Sequence, residues 1–118
     1  MTRTLLIVDD HASFRSFARS FLDGEDFDVT GEADDGTKAL SEVARLKPEV
    51  VLLDIQLGDG PDGFEVADRL AASSYSPQVV LTSSREASDY GSRLRMAPVS
   101  GFLPKNELSA DNLTAALG

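Results

Sequence analysis

With 118 residues, the chain is long enough for one domain around one core, and its 42% hydrophobic and 26% charged residues are an ordinary globular mixture. It has no cysteine, which excludes disulfides and thiolate metal sites. It also has no apolar run long enough for a bilayer and no signal peptide before the first strand, so a cytoplasmic location is expected. The formal charge of -9 disfavours direct binding to nucleic acid, which needs a basic face, and suits divalent cations and basic protein surfaces.

Apolar runs alternate with helix-like stretches from end to end, which predicts an α/β fold with a parallel sheet. Leu5–Val8 is the first strand. Phe14, Phe17, Ala18, Phe21 and Leu22 then recur at helical spacing as one inward face, with Arg15 and Arg19 on the polar side, up to Asp23-Gly24. Phe27–Ala33 reads as the second strand. Asp34-Asp35-Gly36-Thr37 supplies turn and N-cap residues for a helix with Leu40, Val43 and Leu46 inward, stopped at Lys47-Pro48. Val50–Leu53 is uninterrupted apolar, as a central strand buried on both faces should be.

After Asp54 comes a loop rich in Gly and Asp, then a helix with Phe64, Ala67, Leu70 and Ala71 on one face, broken at Ser73–Pro77. Val79–Leu81 is the fourth strand. The next helix, about Ala87–Met96, is expected to be short or mobile. Gly91 sits inside it, and only Ala87, Tyr90, Leu94 and Ala97 make a stripe. Gly101–Leu103 is the fifth strand, and Ser109 caps a last helix carrying Leu113, Ala116 and Leu117. The pattern is (βα)5, one domain over residues 1–118 with no room for an output domain.

Four of these strands end in Asp9-Asp10, Asp54, Thr82 and Lys105. Strand ends lie side by side in a parallel sheet, and ligands of open α/β sheets sit beyond them. Converging carboxylates repel one another, and a divalent cation relieves that. Mg2+ prefers oxygen ligands and a phosphate. The natural set is Asp10 and Asp54 direct, Asp9 through water, and the Gln56 backbone carbonyl. A carboxylate can also attack phosphorus to form an aspartyl phosphate, and Asp54, on the most apolar strand, is the candidate. Lys105 and the Thr82 hydroxyl can each meet a phosphoryl oxygen.

Each residue also has a plainer reading. Asp9-Asp10 could simply cap the first helix, Thr82 could be an ordinary strand residue, Lys105 a surface lysine and His11 a first-turn residue rather than a ligand. Ser83 could replace Thr82 as the hydroxyl, but Ser83-x-x-Glu86 fits a capping box. Gly58-Asp59-Gly60-Pro61-Asp62-Gly63 has the spacing of a dinucleotide fingerprint. Its two acids would repel a pyrophosphate, and Pro61 removes a backbone donor.

Taken together, Val8-Asp9-Asp10, Leu53-Asp54, Leu81-Thr82-Ser83 and Phe102-Leu103-Pro104-Lys105 resemble the receiver domain of bacterial two-component response regulators, over essentially the whole chain. The resemblance implies a flavodoxin-like sheet in order 2-1-3-4-5, Mg2+ binding, and phosphorylation of Asp54 by a sensor histidine kinase or phosphotransfer protein. It also implies a switch in which Thr82 moves toward the phosphoryl group and Phe102 changes rotamer, altering the surface of the fourth helix, fifth strand and fifth helix. A phosphorylated homodimer is compatible with it.

Some features depart from the family pattern. The loop after Asp54 is about one residue longer than usual, Leu57-Gly58 stands where Met-Pro is frequent, and Pro104 precedes Lys105 where many receivers have a proline after it. The family positions that tune phosphoryl hydrolysis are here Gln56 and Ser84, both uncharged. The leading expectation is a stand-alone phosphoacceptor that also catalyses its own phosphorylation from small donors and its own hydrolysis. The rivals are a docking or dimerisation module independent of phosphorylation, and the receiver of a longer DNA-binding regulator. A Mg2+-dependent phosphatase is disfavoured because Gln56 stands where its general acid would be.

Overall fold

The five expected strands pair in parallel, in the order β2-β1-β3-β4-β5. The computed structural model describes residues 2–118. Its elements are β1 Arg3–Val8, α1 Ala12–Leu22, β2 Phe27–Ala33, α2 Gly36–Leu46, β3 Val50–Asp54, α3 Gly63–Ala72, β4 Gln78–Ser83, α4 Ser92–Met96, β5 Gly101–Pro104 and α5 Ala110–Leu117. The strand order reverses between β1 and β3, where a doubly wound sheet opens a crevice. No helix among the described residues is long and apolar enough to cross a membrane.

Alternation along the strands divides the core into two layers. Leu6, Val8, Val51, Leu53 and Leu81 face α2 and α3, while Leu5, Ile7, Val50, Leu52, Val80 and Leu103 face α1 and α5. Burying each such large aliphatic side chain contributes roughly 1.5–3 kcal/mol, so the central strands dominate stability. The helix starts are fixed locally. Asp35, Asp62 and Ser109 accept the backbone N–H of Lys38, Glu65 and Asn112. Lys47 closes α2 in the left-handed region, at φ 48°, ahead of Pro48.

Three helices differ from the sequence expectation. In α1, Ala18 and Leu22 are buried, but Phe17 and Phe21 are 47% and 55% exposed. At about 100° per residue the expected stripe spans roughly 140°, more than the sheet can cover. The roll of the helix is set by Arg15 and Arg19, which both bind Glu32 of β2, at 3.0 and 2.8 Å. These arginines are thus half-buried anchors rather than a solvent face. In α3, Ala71 is exposed and Val66 is buried in its place.

The fourth helical region is short, as expected. It is broken into a single 3-10 turn at Ala87–Asp89 and a five-residue helix, separated by Gly91 at φ 57°. Tyr90, Leu94 and Ala97 pack on the core as expected, but Ala87 is exposed. The capping box belongs to Glu86 and Asp89, not to Ser83. Ser83 is the last residue of β4, and its side chain is taken up elsewhere.

Candidate functional site

The strand register decides which residues meet. Asp54 pairs with Thr82, and Thr82 with Leu103. By alternation, Asp9, Asp54, Thr82 and Lys105 all fall on the α1/α5 side of the sheet at its carboxyl edge. Ser83 falls on the opposite side. Its hydroxyl lies 2.6 Å from the Tyr90 hydroxyl and accepts the Arg85 N–H at 3.0 Å.

Asp9 is fully buried and Asp54 nearly so. The Lys105 ammonium donates to Asp9 Oδ2 at 2.6 Å and reaches Asp54 Oδ2 at 3.4 Å. Asp9 Oδ1 accepts the His11 N–H at 2.8 Å, and Asp54 Oδ1 accepts the Gln56 N–H at 3.2 Å. Asp10 is more exposed, with His11 Nδ1 3.0 Å away. Asp9, Asp10 and His11 form a compact group able to hold a metal ion, their ligand atoms within 4.8 Å of one another. His11 is the N-cap residue of α1, with its ring drawn toward the acids.

Two buried carboxylates share one ammonium, so the charges do not balance. Burial pushes the Asp54 carboxyl up to about 7, and the charge of Asp9 adds to this. Lys105 and the Gln56 N–H pull the other way without overcoming it. Burial also works against the Lys105 ammonium, but its hydrogen bond to Asp9 and the charges of Asp54 and Asp9 outweigh it, so its pKa is raised.

The backbone around the site is fixed from both sides. On one, the Arg15 guanidinium donates to the Asp9 carbonyl at 2.7 Å while it grips Glu32, which ties Asp9 to α1 and β2. On the other, the Gly63 N–H donates to the Ile55 carbonyl at 2.8 Å, bringing α3 against the end of β3. A Cβ on Gly63 would stand 2.5 Å from the Asp54 carbonyl oxygen. Gly63→Ala is therefore expected to destabilise the protein by about 1–3 kcal/mol, as overpacked sites do. Urea unfolding measures this, and an unchanged midpoint would mean that α3 can retreat from Asp54. Within the same loop Leu57 is buried in the α2/α3 layer, and Gly58 has φ 72°. Proline, fixed near -65°, could not adopt that angle.

Thr82 is fully buried and donates its hydroxyl to the Leu103 carbonyl at 2.6 Å. Phe102 is half-buried on the opposite layer, its ring 6.4 Å from that of Tyr90, which lies edge-on to Phe64 at 5.7 Å. Gln56 and Ser84 are exposed. The structure thus brings Asp9, Asp54 and Lys105 into contact, sets Thr82 beside Asp54, and leaves Asp10 with His11 at the rim. Sequence reasoning missed Arg15 and Glu32, for which the only signal was an arginine pair one turn apart. It also missed Phe14, whose ring lies 4.3 Å from the Lys105 Nζ.

The profile of the response regulator receiver domain matches residues 5–118. The DNA-binding transcriptional activator EvgA of Escherichia coli is 30% identical over 112 residues, covering 95% of this chain and 54% of EvgA. The DNA-binding response regulator MtrA of Mycobacterium leprae is 42% identical over 89 residues, 75% of this chain and 39% of MtrA. The chain spans about half the length of EvgA and less of MtrA. Among solved structures, the signal receiver domain of NarL from Mycobacterium tuberculosis superposes with a TM-score of 0.86 at 30% identity, covering 99% of this chain and 98% of that one. In that family, receivers bind Mg2+ at an acidic pocket and take a phosphoryl group from histidine kinases. The matching profile, the relatives, the sheet order and the acidic strand ends agree: the chain belongs to the response regulator receiver domain family.

Proposed function

We propose that Asp54 is the phosphoacceptor of this receiver, served by Lys105 and Thr82, and that a histidine kinase or phosphotransfer protein is the donor. The supporting observation is the Lys105 ammonium bridging buried Asp9 and Asp54 where the strand order reverses. Phosphoryl transfer is mostly positioning and charge neutralisation, and this edge supplies both. An Asp54 carboxylate oxygen attacks phosphorus, the O–P bond forms, and the P–N bond of the donor phosphohistidine breaks. The electron pair returns to the imidazole nitrogen. Asp54 must be ionised to attack, and its raised pKa divides it between two forms near neutrality.

The surplus of carboxylate over ammonium and the oxygen-rich donor set fit a hard divalent cation. Asp10 and Asp54 directly, Asp9 through water and the Gln56 backbone carbonyl are the candidates to hold Mg2+. His11 is an additional neighbour. When bound, Mg2+ would neutralise charge on the phosphoryl oxygens. Lys105 holds a further oxygen. Thr82 exchanges its bond to the Leu103 carbonyl for one to the phosphoryl group, and Phe102, next in the strand, carries the change to the surface of α4, β5 and α5. Self-phosphorylation from small donors and slow self-hydrolysis belong to the same reading, as does a homodimer of the phosphorylated form.

The test is intact mass after incubation with acetyl phosphate, with and without Mg2+. A single phosphoryl increment that requires Mg2+ is expected. No increment, either from acetyl phosphate or from a phosphorylated kinase domain, would leave the docking module that acts without phosphorylation. The relatives support a second reading, the receiver part of a DNA-binding regulator, since EvgA and MtrA are DNA-binding and longer. A native gene product near 12.6 kDa would fit a stand-alone receiver, and one about twice that mass the longer regulator.

A further inference from the structure

Phe14 is half-buried in the first turn of α1, with its ring 4.3 Å from the Lys105 Nζ. An ammonium has three N–H bonds. On Lys105 one is committed to Asp9 at 2.6 Å, one reaches only loosely toward Asp54 at 3.4 Å, and a ring lies on a further side. The face of an aromatic ring attracts a cation without fixing its direction. A carboxylate or carbonyl in that place would hold the ammonium at one angle.

This matters because Lys105 rests on Asp9, whereas a phosphoryl group on Asp54 needs it to turn toward the Asp54 side. The ring can keep its hold on the charge throughout that shift and keep water off that side. Phe14 also neighbours the other rings of α1: the Phe17 ring is 6.3 Å from it, and the Phe21 ring is 4.7 Å from that of Phe17.

Resting on the Asp54–Lys105 reading above, we infer that Phe14 is a positioning residue for phosphoryl acceptance: its ring face steers the Lys105 ammonium between Asp9 and Asp54. A ring of another kind should serve as well, and an aliphatic side chain of similar volume should not.

The experiment compares wild type, Phe14→Leu and Phe14→Tyr by two readouts. One is the NMR shift of the Lys105 ε-methylene protons in the Mg2+-free protein, which a ring face displaces upfield. The other is the rate of phosphoryl incorporation from acetyl phosphate with Mg2+. Phe14→Leu should lose the displacement and slow incorporation by about three- to tenfold, the range of a partly desolvated cation–π contact. Phe14→Tyr should keep the displacement and stay within about twofold of wild type. A wild-type rate in Phe14→Leu, equal losses in both variants, or no ring displacement in wild type would overturn the inference. Failure of wild type to accept phosphate, or acceptance by Asp54→Asn, would overturn the site reading instead. The NMR displacement would then decide the Phe14–Lys105 contact by itself.

Discussion

Asp54→Asn should make the Mg2+-free protein more stable near neutral pH, by on the order of 2–4 kcal/mol, while abolishing phosphoryl acceptance. Burial and the charge of Asp9 raise the Asp54 pKa from 3.8 to about 7. The folded protein therefore holds this proton where the unfolded chain has released it. The sign follows from linkage: stability from this group is fully present below about pH 4 and is lost as pH rises through about 7. The full shift corresponds to about 4 kcal/mol, and solvent at the open sheet edge reduces that to the lower end of the range.

Urea unfolding in chelator at about pH 5 and pH 7.5 measures the effect. Wild type should lose stability across that window, and Asp54→Asn should lose much less. Saturating Mg2+ should narrow the gap between the two proteins, since a cation favours the ionised carboxylate. A wild type equally stable at both pH values, or a variant weaker than wild type at the higher one, would contradict the raised pKa of Asp54.

The second large effect is expected at Lys105. Lys105→Ala removes the ammonium shared by Asp9 and Asp54. Loss of one preorganised donor to developing charge commonly costs about 10²–10³ in rate, so incorporation from acetyl phosphate should slow by that much. Lys105→Arg should not restore it, because a planar guanidinium cannot occupy the place of a compact ammonium between two carboxylates and a ring. Initial rates on the three proteins test this. Incorporation within about threefold of wild type in Lys105→Ala would make Lys105 a structural partner only.

Four strands were legible as short apolar runs closed by polar residues, and the second, FDVTGEA, as an alternating one bounded by turn residues. Phe27–Ala33 matches its observed bounds, and the others extend theirs by one to three residues. The meeting of Asp9, Asp54 and Lys105 was legible for the same reason, since parallel strands of similar length align their ends. Strand parity also separates Thr82 from Ser83, which share a chain segment but not a face.

The roll of α1 was not legible. Periodicity gives a stripe, but Glu32, on the strand that follows the helix, decides which edge of the stripe is buried, through Arg15 and Arg19. That roll leaves Phe17 and Phe21 exposed. The fourth helical region was legible as short, from Gly91 and its thin stripe, but not its division into a 3-10 turn and a five-residue helix, because it buries no residue fully and local sequence has little packing to report. His11 and Phe14 are a different case. Each lies within a few residues of Asp9-Asp10, but what they touch depends on the start of α1 and on Lys105, which comes from the other end of the chain.

The most direct measurement is chemical trapping of the phosphorylated residue. An aspartyl phosphate is an acyl phosphate, which borohydride reduces to homoserine, and peptide mass spectrometry then locates it. After phosphorylation in Mg2+, homoserine is expected at position 54 and nowhere else. Homoserine at Asp9 or Asp10, or a phosphoryl group retained on a hydroxyl such as Thr82, would contradict Asp54 as the phosphoacceptor.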